Sequence, residues 1–165
     1  MPTTYEPIAT TTLGSTSNTI TFSSIPSTYT DLRISFVGLA SANYIRTRLR
    51  FNSDTGSNYS FTFLAGTGGA VITSTSSGIS YIQADTEGII TAQPSFYSFD
   101  IFSYAGSTNK TCLTTCNEDK NGSGQVGRFV GLWRSTSAIN SVTIYCSSST
   151  FAVGTTATIY GILKA

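Results

Sequence analysis

Short runs in which apolar and polar residues alternate recur along the chain, separated by clusters of Gly, Ser, Asn and Asp. In the stretch from Asp31 to Val37, Leu32, Ile34 and Phe36 alternate with Arg33 and Ser35. A period of two sends successive side chains to opposite faces of a strand. The pattern predicts strands over 18–22, 31–37, 45–51, 59–64, 96–104, 110–116, 126–133, 141–146 and 155–163, with weaker ones over 79–83 and 88–91. No segment carries a helical period. Eight or more short strands at this spacing predict an all-β fold, an antiparallel β-sandwich of jelly-roll-like character.

The connections carry turn chemistry. "NSDTGSN" (52–58) and "NEDKNGSG" (117–124) read as hairpin connections, because Asn, Asp and Gly tolerate positive φ or bond their own backbone. The Gly- and Ser/Thr-rich stretch over 65–78 reads as a long surface loop. Residues 1–13, with Pro2, Pro7 and little alternation, read as an N-terminal arm reaching a neighbour. In "SSIPSTYTDL" (23–32), Pro26 restricts Ile25 to an extended conformation. Ile25, Tyr29 and Leu32 are expected to plug the sandwich edge, with Asp31 bonding nearby backbone amides.

Composition sharpens this picture. The 165 residues fit one domain, long enough to bury roughly 70% of the unfolded chain's surface. About a third of positions are Ser or Thr and 10% are charged, yet apolar residues at 39% and aromatics at 12% argue for a packed core over disorder. A net charge of +1 supplies no field for nucleic acid or an anionic membrane. No stretch approaches the ~20 apolar residues of a membrane helix. The first residues lack the basic and apolar regions of a signal peptide, so folding in a cytoplasm is expected.

Candidate chemistry is sparse. With no histidine, Ser-His-Asp and Cys-His nucleophile arrangements are excluded. Cys112 and Cys116 on one strand face lie about 13 Å apart, too far for a disulfide. With Cys146 they are expected to be free, buried small hydrophobes. The carboxylate pairs Asp85/Glu87 and Glu118/Asp119 read as solvated residues of a turn and a hairpin tip; a glycosidase dyad is the alternative. Asp100, if covered, needs a partner, and an arginine is the natural one. Asn52, Asp54 and Asn58 around Gly56 read as a turn, with a calcium loop as the alternative. Trp133 reads equally as core or as a sugar-stacking ring. The sequons at Asn58, Asn109 and Asn121 are what a Ser/Thr-rich chain produces by chance. No catalytic, metal or cofactor residue is assigned.

One strand stands apart. In "IRTRLRF", Ile45, Thr47, Leu49 and Phe51 share one face, and Arg46, Arg48 and Arg50 share the other, about 6.7 Å apart. These arginines are three of nine basic residues. The row is either a solvated exterior or a surface answered by a partner, another subunit or cross-strand acids.

"YEPIATTTLGS", "ITFSSIPSTYTDLRISF" and "RTRLRFNSDTGSNYSFTFL" together resemble a group of tailed-phage virion proteins of the cyanophage type. The likeness covers residues 5 to about 64, through the Phe-x-x-Ile-Pro-x-x-Tyr-x-Asp-Leu-Arg and Arg-Phe-Asn-x-Asp-x-Gly-x-Asn-Tyr-Ser patterns. It implies a structural, non-enzymatic role on the outer surface of a virion assembled in the host bacterial cytoplasm. The expected protein is a capsid decoration (cement) protein without a cofactor, whose partners are the major capsid protein and itself, as a homotrimer. The alternative is a receptor-binding or tail-fibre domain that recognises host-surface glycans.

Overall fold

The computed structural model describes residues 4–91 and 93–163. They form twelve strands and no helix: β1 (Tyr5–Thr12), β2 (Thr19–Phe22), β3 (Asp31–Gly38), β4 (Thr47–Phe51), β5 (Tyr59–Gly66), β6 (Val71–Ile79), β7 (Ile82–Gln83), β8 (Ser95–Phe102), β9 (Lys110–Asp119), β10 (Gly124–Trp133), β11 (Val142–Cys146) and β12 (Thr156–Ile162). Pairing is antiparallel throughout. An eight-stranded sheet runs β1-β12-β3-β8-β9-β10-β5-β6, and a four-stranded sheet runs β2-β11-β4-β7. The all-β sandwich expected from the alternation is the fold.

The core lies between the sheets. Phe36, Phe99, Phe129, Ile34, Ile101 and Ile159 from the large sheet meet Leu49, Phe51, Val142 and Ile144 from the small one. Trp133 stacks on Tyr59 at 6.2 Å and meets Phe51 at 5.7 Å, so it is a core residue and offers no sugar-stacking face. Cys112, Cys116 and Cys146 are free and buried, as expected.

The hydroxyl-rich composition has its explanation on the outer faces. Thr10 pairs with Thr158, Thr12 with Thr156, Thr21 with Thr143 and Thr62 with Thr75 across adjacent strands. Such pairs stabilise a sheet without burying charge.

Two segments differ from expectation. Within the expected arm, residues 5–12 form β1, an edge strand on β12. Pro7 is tolerated because it sits at an edge beside a register shift between Pro7 and Ala9. Residues 1–3 lie outside the described residues. The expected loop over 65–78 is instead the end of β5, a turn at 67–70 and β6, which pairs with β5 from Gly66↔Val71 to Tyr59↔Ile79. Its Ser/Thr residues form a half-wet edge strand, so the apolar face that marks a strand is missing from its sequence.

The turn at residues 23–32 packs as its sequence suggested. Ile25 and Leu32 are buried, the ring of Tyr29 lies against Gly161, and the Pro26 carbonyl accepts the Tyr104 hydroxyl. Asp31 Oδ1 accepts the Ser103 N–H at 2.6 Å.

Candidate functional site

The outer face of the small sheet carries the arginine row. Thr47, Leu49 and Phe51 of β4 are buried, which turns Arg48 and Arg50 outward, with Arg46 exposed just before the strand. Aromatic rings, and no acid within ion-pair distance among the described residues, answer the two strand residues. The Arg48 guanidinium lies 3.9 Å from the Tyr81 ring centre, and that of Arg50 lies 4.7 Å from the Tyr145 ring centre. Arg50 also donates through Nε to the Ser80 carbonyl and through Nη2 to the Tyr145 hydroxyl, both at 3.1 Å. Burial raises the Tyr145 phenol pKa against the opposing pull of Arg50 and Arg48. Arg48 Nε is buried without an acceptor. The Arg46 backbone is held by Ser147: its N–H donates to Ser147 Oγ and its carbonyl accepts the Ser147 N–H.

The opposite outer face has another character. Alternation along β3, β5, β6, β8 and β10 turns Val37, Leu64, Val71, Phe96, Phe102, Val126 and Val130 to solvent among Ser and Thr. Val37↔Phe96 and Val126↔Gly66↔Val71 lie in register across that face. Its ion pair is Arg33 Nε to Asp100 Oδ1 at 3.5 Å, which supplies the arginine partner expected for Asp100.

At one end of the sandwich the interior becomes polar. Asp85 is fully buried; its Oδ2 accepts the Thr47 N–H at 2.8 Å and the Tyr97 hydroxyl at 3.0 Å. Burial pushes its pKa up to about 7. Glu118 is buried at the inward end of β9, where Oε2 accepts from Ser95 and Oε1 meets Lys120 Nζ at 3.2 Å. Burial raises its pKa as well. Lys120 bridges Glu118 to Glu87, which lies 2.8 Å from Nζ. Burial works against the Lys120 charge, but the two carboxylates hold its pKa above the ordinary value. A cleft of about 280 Å³ opens beside this cluster, lined by Gly66–Gly68 and the β9–β10 turn.

These positions correct the reading of Asp85 and Glu118 as solvated, whereas Asp119 is exposed as expected. Glu118 continues the inward series Cys112, Thr114, Cys116 and therefore cannot lie in the tip, while Asp119 does, accepting the Gly122 N–H. Asp85 follows the two-residue strand β7 into the core. The Asn52–Asn58 loop is a turn but not the expected hairpin, because it carries the chain from β4 of the small sheet to β5 of the large one. Within it Asp54 accepts from Gly56 N–H, Asn58 Nδ2 and Trp133 Nε1, the last at 2.7 Å. These hydrogen bonds, Trp133 foremost, hold the Asp54 pKa below the ordinary value. No group of three or more Asp, Glu or Cys is placed to hold a metal ion among the described residues.

No family model and no curated protein matches this chain. Among solved structures, a protein of unknown function from Shewanella oneidensis MR-1 is similar at 10% identity. The match covers 98% of this chain and 77% of that one with a TM-score of 0.31, a likeness that carries no argument.

Proposed function

We propose that this chain is a virion structural protein of a tailed phage, a capsid decoration protein that binds the outer surface of the shell and stabilises it as a homotrimer. The observation that carries the reading is the contrast between its two outer faces. One is broad and weakly apolar, with Val37, Phe96, Val126 and Val130 standing among hydroxyls. The other is cationic, with arginines seated on tyrosine rings. A sandwich with two unlike faces suits a protein that meets two kinds of surface, its own copies and the shell. The resemblance over residues 5 to about 64 supports the same reading.

Addition of the purified protein to expanded capsids that lack it tests this. Saturable binding with a rise in capsid melting temperature is expected. Absence of binding, together with binding to host cells or their glycans, replaces it with a receptor-binding role.

A further inference from the structure

The arginine row has no ion-pair partner among the described residues. Of the eight carboxylates in the sequence, two sit on Lys120, one faces Arg33 and one is inside the core. The other four accept from hydroxyl, indole or backbone N–H donors. No arginine of the row comes within ion-pair distance of any of them among the described residues. Arg50 feels Asp54 through space, but that carboxylate is already held by Trp133, Asn58 and Gly56.

Three like charges on one strand face repel, and this fold keeps them adjacent. It also fixes two of them. Stacking on Tyr81 and Tyr145 removes much of the side-chain freedom that an arginine otherwise loses on binding.

We infer that Arg46, Arg48 and Arg50, backed by Tyr81 and Tyr145, form a docking plate for an extended acidic segment of a partner protein with carboxylates at alternate positions. The repeat decides the partner's form. Alternate residues of a strand recur at about 6.7 Å, so an extended segment with Asp or Glu at every second residue presents one carboxylate to each guanidinium. Single-stranded nucleic acid fits less well. It binds by stacking bases on free aromatic faces within a positive groove. Here both rings already carry guanidinium groups, and the whole chain has a net charge of only +1. The inference rests on the virion reading only for the partner's identity, an acidic segment of the capsid subunit.

The test is fluorescence anisotropy of a labelled peptide of alternating Glu and Thr, titrated with the intact protein. Binding at low salt that weakens as salt rises is expected. The Arg46→Gln/Arg48→Gln/Arg50→Gln variant should lose about tenfold in affinity. Arg128→Gln, on the outer face of the other sheet, should lose none. Arg46→Gln alone, whose exposed side chain makes no hydrogen bond or ion pair among the described residues, should lose about twofold and supplies the result if the triple variant does not fold. An oligothymidylate of equal charge should bind more weakly. No peptide binding at low salt, undiminished binding by the neutralised variants, or tighter binding of the oligonucleotide overturns the inference. Peptide binding without abundance in virions removes the capsid reading and keeps the plate; abundance without peptide binding does the reverse.

Discussion

Tyr97 donates its hydroxyl to Asp85 Oδ2 at 3.0 Å between the two sheets, where Asp85 has no exposure to water. The other carboxylate oxygen has no partner. A carboxylate placed this way is favoured in its neutral form, and burial carries its pKa from 3.8 to about 7.

A pH dependence follows. Between about pH 4 and about pH 7 the folded protein holds a proton on Asp85 that the unfolded chain has released. This contribution to stability is complete below about pH 4, declines as pH rises and is gone above about pH 7. The decline is on the order of 1–4 kcal/mol. Asp85→Asn cannot titrate and should flatten the profile, exceeding the wild type at pH 8. Thermal unfolding across this range checks it; a wild type that gains stability from pH 5 to pH 8 contradicts it.

The Asp54 carboxylate serves the fold. Asp54→Ala leaves the buried Trp133 N–H without its acceptor and frees Asn58 and Gly56, at a cost of about 2 kcal/mol. Denaturant unfolding measures this. Added calcium should leave the melting temperature unchanged, and a rise would restore the calcium-loop alternative.

A methyl group at Gly161 would come within 2.3 Å of the Tyr29 ring. Gly161→Ala should therefore cost about 1–3 kcal/mol. The same change in a Tyr29→Ala background should cost clearly less, because the obstacle is gone. Equal costs in the two backgrounds would show that the ring is not the cause.

The thiols should be silent in the native state. Burial pushes Cys112 and Cys146 up to about 12 and Cys116 higher still, so none is a thiolate at neutral pH. Native protein should resist alkylation, and denatured protein should take up three labels. Rapid labelling of the folded protein would contradict the packing.

The strands that bury one face were legible because Leu32, Ile34 and Phe36, or Phe129 and Trp133, mark the inward side unambiguously. β6 was not, since its run of Ser and Thr has the composition of a loop and becomes a strand only by pairing with β5. β1 carries a proline that reads as a break until β12 is known to lie beside it. The buried carboxylates were partly legible. Glu118 keeps the phase of Cys112 and Cys116, so extending that alternation by one step would have placed it inside. Asp85 carries no such signal, because β7 is two residues long. The arginine row was visible as a shared face, but the rings beneath it were not: Tyr81 lies 33 positions beyond Arg48, and Tyr145 lies 95 beyond Arg50.

The central proposal, a decoration protein, is most directly tested by its copy number in purified virions, measured by quantitative mass spectrometry against the major capsid subunit. The account predicts an abundance comparable with that subunit. A handful of copies per particle would contradict it and place the protein at the tail.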